Sequence, residues 1–306
     1  MRAVCIGECM VELRQIDGDL YARAFAGDAY NTAVYLKRSA PRLRVAFLTA
    51  TGDDPLSRAM RTAFAADGLE DTSAFPVQGG EPGLYMIELD AAGERRFHYW
   101  RSSSAARHWF TLLMRNGGAD ELMGVDLVYL SGISLAILLD EARDEAIDLL
   151  ASLKGRVGRI AFDANVRLAL WRDLNAARKA ILPMIEIADI VRASGEDAAL
   201  LYGTNEPGAQ IDAFRTAGAQ EIALTLGAQG CIVVTNGDEV ALPAPPAKIK
   251  DTSGAGDAFT GAYLAGRLGG ATPLDAARAA LKIASRVVSY PGAVVPAKIS
   301  HPEDTC

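Results

Sequence analysis

Short apolar runs alternate with amphipathic stretches along most of this chain. Runs rich in Val, Ile and Leu lie at residues 2–7, 44–50, 126–131, 159–163, 189–193, 221–226 and 231–235. Helical periodicity is found at residues 28–39, 55–67, 140–154, 173–187, 208–218, 255–268 and 272–289. Strands that alternate with helices along a chain form a parallel sheet whose two faces are covered by the helices. The pattern therefore predicts a doubly wound, mostly parallel α/β fold.

Two segments interrupt this alternation and are typical of additional strands. Residues 9–25 are short and strand-like, and residues 84–101 form a hairpin pattern that turns at residues 90–93. Strands outside the βα series favour a second, smaller sheet. We therefore predict a β lid made of residues 9–25 and 84–101, and one main α/β domain made of residues 1–8, 26–83 and 102–306.

The second arm of this hairpin carries large side chains on both of its faces. Alternation puts Phe97, Tyr99 and Arg101 on one face and Arg96, His98 and Trp100 on the other. An isolated open sheet would leave an apolar face in water, whereas a ligand beneath and a partner subunit above would cover both faces. We expect a homodimer that forms through the lid.

Composition and charge narrow the class of protein. Hydrophobic residues make up 50% of the 306 positions and charged residues 23%, which is typical of a globular enzyme. The net charge is −7 and no run of Lys or Arg occurs, so we expect neither nucleic acid nor a membrane surface as a partner. The four cysteines and the absence of a signal-peptide pattern at the N-terminus predict a cytoplasmic protein with reduced thiols.

The strongest chemical signal is the sequence DTSGAGDAF at residues 251–259. Small residues before a helix let backbone N–H groups approach an anion, which the helix dipole also attracts. Asp257 lies just inside that helix start, where its carboxylate can accept a proton from a substrate hydroxyl. Phosphoryl transfer requires mainly positioning and charge stabilisation, so the motif favours such a site. A helix-capping Asp after a Gly-rich turn is the alternative.

A second polar pair is found at the start of the first predicted helix. Asp28 and Asn31 are three residues apart, so they share one helix face and can both bind sugar hydroxyls. A capping Asp and a turn Asn are the alternative. No Gly-Lys dipeptide occurs in the chain, which excludes a P-loop kinase.

Both motifs resemble the signatures of one family. Residues 251–259 are similar to the C-terminal signature of the ribokinase-like, PfkB-type carbohydrate kinases, and residues 25–33 resemble their N-terminal signature. Ala26 stands where the family usually has a glycine. The resemblance covers about residues 3–296. It implies a sugar kinase that uses ATP and Mg²⁺, with K⁺ as a further ion.

The resemblance also implies roles for individual residues. The backbone of Gly254, Ala255 and Gly256 would hold the transferring phosphate beside Asp257. The implied nucleotide-binding residues are Ser194, Thr225, Gly227, Gly230, Gly254, Gly256 and Ser285. Asp197 would bind Mg²⁺ through water, and the implied K⁺ site comprises Asp251, Ser253 and Gly292.

Within the family, five segments resemble the bacterial kinases of 2-keto-3-deoxygluconate. They lie at residues 6–10, 83–85, 97–101, 130–133 and 162–167. This substrate carries a carboxylate that neutral sugars lack, and Arg101 and Arg167 can each bind a carboxylate through paired, charge-assisted hydrogen bonds. Tyr85 and Tyr99 would add ring faces and hydroxyl donors. The implied substrate-binding set is Gly27, Asp28, Asn31, Tyr85, Tyr99, Arg101, Ile133, Arg167 and Asp257.

Several alternatives stay open at the level of sequence. Each arginine can instead form a surface salt bridge. The substrate can be another sugar, such as fructose, ribose or 5-dehydro-2-deoxygluconate, and the sequence does not separate the gluconate from the galactonate epimer of the keto-deoxy acid. A protein of another class, a catalytically silent regulator that binds sugar or nucleotide, shares the same fold.

Overall fold

The computed structural model describes residues 1–70, 73–89, 95–235 and 237–300. The described strands are β1 (Arg2–Ile6), β2 (Met10–Asp17), β3 (Leu20–Ala26), β4 (Arg44–Thr51), β5 (Ala74–Pro76), β6 (Gly83–Leu89), β7 (Arg95–Trp100), β8 (Leu127–Ser131), β9 (Ile160–Asp163), β10 (Ile190–Ser194), β11 (Glu221–Thr225), β12 (Cys231–Thr235) and β13 (Asp238–Leu242). The predicted hairpin turn at residues 90–93 lies outside the described residues.

The described α-helices are α1 (Asp28–Ser39), α2 (Pro55–Ala66), α3 (Trp109–Arg115), α4 (Gly132–Ala136), α5 (Asp140–Leu153), α6 (Leu174–Ile187), α7 (Gly195–Tyr202), α8 (Pro207–Thr216), α9 (Ala255–Leu268), α10 (Pro273–Val287) and α11 (Ala297–Ser300). Local signals explain several helix starts. The Asp54 side chain accepts hydrogen bonds from the first backbone amides of α2, and Thr272 caps α10 ahead of a proline at the first helical position. In the part of the chain that the structure describes, no helix has both the length and the apolar character needed to cross a bilayer.

The main sheet has nine strands in the order β13-β12-β11-β10-β9-β8-β1-β4-β5. The seven strands from β11 to β5 in this order are parallel neighbours. At the other edge, β12 is antiparallel to β11, and β13 is antiparallel to β12. The predicted doubly wound, mostly parallel fold is confirmed.

Buried strands with apolar residues at every position place side chains on both faces of this sheet. In β1, Val4 and Ile6 belong to one hydrophobic cluster, and Ala3 and Cys5 belong to the other. Successive side chains of a strand point to opposite faces, so each face packs against its own layer of helices. Because the helices cover both faces, the carboxyl ends of the parallel strands are the edge of the sheet at which the candidate functional side chains lie.

A second sheet is built from the two segments that interrupt the βα series. Its order is β3-β2-β6-β7, with β2 parallel to β6 and the outer pairs antiparallel. Tyr85, Phe97 and Tyr99 form ring contacts on one face, and His98 stacks with Trp100. This arrangement agrees with the alternation expected for the hairpin arm. We refer to these four strands as the lid sheet.

Candidate active site

The start of α9 is shaped by two glycines. Gly254 precedes the helix with φ of 71°, and a Cβ there would overlap the carbonyl oxygen of Ala293. A Cβ on Gly256 would lie 2.8 Å from a guanidinium nitrogen of Arg192. No side chain caps this helix end, and the first amides of a helix have no partner within the helix. Together with Ala255, the glycines form a tight turn at the helix start, and anion binding by its backbone stays a prediction.

Asp257 lies in the first turn of α9, and its carboxylate accepts a hydrogen bond of 2.8 Å from the side-chain amide of Asn31. The pKa of Asp257 is raised to about 7, first by burial and then by the negative charges of Asp28 and Asp163, although Asn31 and Arg192 act in the opposite direction. Two motifs separated by 226 residues in the chain thus meet at one carboxylate. A carboxylate with a pKa near neutrality is suited to accept a proton from an alcohol at physiological pH.

The first turn of α1 supplies the other polar groups. The Asn165 side chain donates a hydrogen bond of 2.7 Å to Asp28, and Asn31 accepts a weaker one of 3.3 Å from the backbone of Gly27. A Cβ on Gly27 would overlap the carbonyl oxygen of Glu8, so only glycine fits there. Asn165 has φ of 28°, a left-handed conformation that is rare outside glycine. This strained residue follows β9 and connects it to α1.

Ala26, where the family usually has a glycine, is buried in a small cluster with Met10, Tyr85, Ile87 and Ala293. Its methyl group therefore packs between the lid sheet and the loop that follows α10.

A buried ion pair lies behind the glycine turn at the start of α9. Arg192 on β10 donates hydrogen bonds of 3.1 Å to both carboxylate oxygens of Asp163 on β9, and one of 2.9 Å to the hydroxyl of Thr225. Burial raises the pKa of Asp163 to about 6, although Arg192 acts in the opposite direction. Because a side chain on Gly256 would meet Arg192, this arginine and the glycine turn fit one another. Arg192 therefore brings a positive charge close to the turn.

The lid sheet contributes aromatic and charged groups. The Tyr85 hydroxyl donates to the buried carboxylate of Glu12, and its ring lies 5.8 Å from that of Tyr99. Arg101 follows β7 and forms an ion pair with Glu8, in which the Arg101 side chain is 11% exposed and that of Glu8 is 1% exposed. The pair is thus an internal salt bridge, whereas the alternative considered for Arg101 was a surface one.

The remaining predicted substrate residues lie on loops and short helices after the strands. Arg167 is exposed, and its side chain forms no hydrogen bond or ion pair with the described residues. It lies two positions after Asn165, at the carboxyl end of β9. Ile133 lies in the first turn of α4, and Gly132 beside it would overlap the carbonyl oxygen of Ala164 if it carried a Cβ.

The predicted nucleotide and metal residues are partly linked to one another. Asp251 accepts hydrogen bonds from the backbone of Ser253, at 2.8 Å, and of Gly292, at 2.7 Å, so these three residues lie together. Asp197 instead takes part in the capping box at the start of α7. Its carboxylate accepts hydrogen bonds from the hydroxyl of Ser194 and from the backbone of Val166. A metal role for Asp197, acting through water, stays a prediction.

The turn between β11 and β12 has the expected strand–turn–strand form. Gly227 and Gly230 flank a short 3₁₀ segment and both have positive φ, 56° and 105°. Ser285 lies on α10, where its hydroxyl donates to the carbonyl of Pro245 at 3.3 Å. Thr225, the last residue of β11, links the turn to the rest of the site because its hydroxyl accepts a hydrogen bond from Arg192.

Four residues of this site were not predicted from the sequence: Glu8, Asp163, Asn165 and Arg192. Asp163 and Asn165 belong to the segment 162–167 that indicated Arg167, and polar residues directly after a buried parallel strand are a signal for such positions. Glu8 likewise follows β1. Arg192 lies within a strand, and only the three-dimensional pairing of β9 with β10 explains it.

Comparison with known proteins identifies the class. Residues 2–299 match the pfkB family carbohydrate kinase model. The chain is 37% identical over 297 residues to a 2-dehydro-3-deoxygluconokinase of Dickeya dadantii (strain 3937), with 95% of this chain and 96% of that one covered. It is 36% identical over 297 residues to the enzyme of the same name in Escherichia coli (strain K12), with the same coverage.

A crystal structure of aminoimidazole riboside kinase from Salmonella enterica, complexed with aminoimidazole riboside and an ATP analog, has the same fold. Its TM-score is 0.83 at 21% identity, with 98% of this chain and 96% of that one covered. At this identity the likeness shows the fold alone. The chain belongs to the pfkB family of carbohydrate kinases, and the predicted family is confirmed.

Membership of this family implies ATP as the phosphoryl donor and a divalent metal ion. Within the described ranges, no group of three or more His, Cys, Asp and Glu side chains has the arrangement of a metal site.

Proposed function

We propose that this protein transfers the γ-phosphoryl group of ATP to the terminal hydroxyl of 2-keto-3-deoxygluconate, which gives 2-keto-3-deoxy-6-phosphogluconate and ADP. One observation carries the proposal: the half-buried Asp257, bound by Asn31, lies beside a glycine-lined helix start. The choice of substrate is supported by the two bacterial relatives, which are both named 2-dehydro-3-deoxygluconokinase. The name 2-dehydro-3-deoxygluconate denotes the same sugar acid as 2-keto-3-deoxygluconate.

The chain's own groups account for the proton and the developing charge. The Asp257 carboxylate accepts the proton of the terminal hydroxyl while the hydroxyl oxygen bonds to the γ-phosphorus and the bond to the β-phosphate oxygen breaks. The amides at residues 254–257 stabilise the negative charge on the transferring group. Arg192, behind the turn, adds a buried positive charge. Mg²⁺, when bound to the nucleotide, neutralises part of the phosphate charge.

The sugar acid is bound between α1, the loop after β9 and the lid sheet. Asp28, Asn31 and the backbone of Gly27 bind its hydroxyls, and Ile133, Tyr85 and Tyr99 border it. Arg167, exposed and without a partner among the described residues, binds the carboxylate, and Arg101 approaches the same group from the end of β7. The lid, residues 9–25 and 84–101 in this proposal, covers the substrate and excludes water.

The nucleotide lies on the opposite side of the glycine turn. Its proposed contacts are Ser194, Thr225, Gly227, Gly230 and Ser285, with Asp197 reaching Mg²⁺ through water. Asp251 accepts hydrogen bonds from the backbone amides of Ser253 and Gly292, so its carboxylate lies where these two backbone segments meet. Hard oxygen donors of this kind fit a K⁺ site, which we propose there.

A substrate panel tests this function. ADP release should be measured with both epimers of the keto-deoxy acid, with fructose, ribose and 5-dehydro-2-deoxygluconate, and without sugar. The proposal expects the highest kcat/KM with the keto-deoxy acid. Faster turnover of a neutral sugar would identify that sugar as the substrate instead. The absence of any sugar-dependent ADP release would favour a catalytically silent regulator.

Substitution of Arg167 by Leu tests the carboxylate contact. We expect the KM for the sugar acid to rise by about 10- to 100-fold, because a hydrogen bond to a charged group contributes about 1.5–3 kcal/mol. The KM for ATP should stay the same. Arg172, an exposed arginine paired with Asp173 on the same loop, provides the matched control Arg172→Leu. An unchanged KM for the sugar acid in Arg167→Leu would contradict the role.

We further propose a cytoplasmic homodimer. The described cysteines, Cys5, Cys9 and Cys231, are free and buried, as in proteins of reducing compartments. On the lid sheet, Trp100 is 57% exposed and lies on the face opposite Tyr99. A second copy of the lid would cover this surface.

A further inference from the structure

The lid sheet is connected to the main sheet at four places, and Glu8 is in contact with each of them. The chain enters the lid through Glu8 itself, between β1 and β2. It returns after β3 through Gly27, which approaches the carbonyl oxygen of Glu8 so closely that no side chain fits. Glu8 therefore lies at the hinge of the first lid segment.

The second lid segment meets the same residue. Gly83 begins β6, and a Cβ there would lie 2.6 Å from Glu8 Oε1 and 3.2 Å from the Cβ of Arg101. Arg101 follows β7, and its Nη2 donates to Glu8 Oε2. The start and the end of the second lid segment are thus held at one carboxylate, which is 1% exposed.

This ion pair has unused hydrogen-bonding capacity. Glu8 Oε1 and Arg101 Nε are both buried, and neither has a hydrogen-bond partner among the described residues. Burial raises the pKa of Glu8, whereas Arg101 and the neighbouring Ser104 side chain lower it. Buried polar groups in proteins are almost always paired. An unpaired donor and an unpaired acceptor on the two members of one ion pair match a ligand that carries a carboxylate and a hydroxyl.

We propose that Glu8 is a positioning residue that holds Arg101 at the lid hinge, so that the guanidinium meets the carboxylate of the substrate only when the lid lies over it. This inference rests on the proposed sugar-acid substrate. A neutral sugar leaves Arg101 Nε unpaired, and sites built to hydrogen-bond one group discriminate strongly against analogues that lack it. Glu8 thereby links recognition of the acid group to the position of the lid.

The variant Glu8→Gln tests this role because glutamine keeps the shape of the side chain and removes its charge. We expect the KM for the sugar acid to rise by about 10-fold or more, as for loss of a charged hydrogen bond, with kcat and the KM for ATP within about 2-fold. The matched control is Glu88→Gln, which removes an exposed lid carboxylate paired with His98. This control should leave all three values unchanged.

A double-mutant cycle shows whether Glu8 acts through Arg101. If it does, Glu8→Gln combined with Arg101→Gln will have the same KM for the sugar acid as Arg101→Gln alone. Independent, multiplying effects would overturn the proposal. The double variant leaves neither charge buried without a partner. Its KM can therefore still be compared with that of Arg101→Gln if thermal unfolding shows that Glu8→Gln alone is poorly folded.

Hydrogen exchange gives a readout apart from turnover. On addition of the sugar acid, the wild-type enzyme should gain protection at residues 83–89 and 97–101, and Glu8→Gln should lose most of that gain. Equal protection in both proteins would refute the hinge role while leaving the proposed function intact. If the wild-type enzyme does not phosphorylate the sugar acid, the proposed function itself fails, and the inference fails with it.

Discussion

At the scale of single residues, the site depends on three acidic side chains that lie close together. Asp28, Asp163 and Asp257 each lie beside a different amide or cation, namely Asn165, Arg192 and Asn31. Their mutual repulsion raises the pKa of Asp257 to about 7, together with burial, which is the largest cause. The pKa of the proposed base therefore depends on the neighbouring charges as well as on its own burial.

The pH profile should report this environment. A base must be deprotonated to accept a proton, so kcat/KM should rise with pH and level off above about 7. Asp28→Asn removes a negative charge that raises the pKa of Asp257, and the rise should then occur at lower pH. Asp148→Asn, which changes an exposed carboxylate on α5, is the control. A rise at the same pH in Asp28→Asn would show that this charge does not act on the base.

Sequence reasoning reached the residues that belong to compact motifs. Asp28, Asn31 and Asp257 were all expected at helix starts, and the structure brings them together. Glu8, Asp163 and Arg192 were missed, because their importance comes from strand pairing and from contacts between distant segments. The internal partner of Arg101 was missed for the same reason, since Glu8 is 93 residues away in the chain.

At the scale of elements, long periodic segments were well predicted and short ones were not. α1 and α9 have the expected bounds, and β12 does as well. β5 has only three residues, which is too few to show a period. α4 and α7 are five and eight residues long, and each begins with a capping box on a serine that also ends a strand. Such short helices depend on capping and tertiary packing more than on periodicity.

The turn before α9 shows how an element constrains its residues. Gly254→Ala should lower the free energy of unfolding by about 1–3 kcal/mol, because alanine is strained at positive φ and its Cβ would overlap Ala293. Gly208→Ala is the matched control on α8, where no heavy atom lies within 4 Å of the added carbon. This control should change stability by less than about 1 kcal/mol. Equal losses in urea unfolding would argue against strain at the turn.

At the scale of the whole molecule, two sheets with different tasks meet at one edge. The main sheet holds Asp163 at the carboxyl end of β9 and Arg192 beside it on β10, and the lid sheet brings Tyr85 and Arg101 to the same region. The proposed dimer concerns the outer face of the lid. Its support is the exposed aromatic surface, which an isolated four-stranded sheet would leave in water.

Substitution of Trp100 by Glu tests this assembly. We expect the wild-type protein to have the mass of a dimer in light scattering after gel filtration, and Trp100→Glu to have the mass of a monomer, because a charge would be buried at the interface. Met114→Glu, at an exposed apolar position on α3, should remain a dimer. A monomeric wild-type protein, or a dimeric Trp100→Glu variant, would exclude the lid as the interface.

The most direct test of the central claim is the turnover of Asp257→Asn. If the Asp257 carboxylate accepts the proton of the sugar hydroxyl, kcat with ATP and the keto-deoxy acid should fall by on the order of a hundredfold or more, while the variant keeps its fold and its affinity for ATP. A folded Asp257→Asn enzyme with wild-type kcat would contradict the assignment of Asp257 as the base.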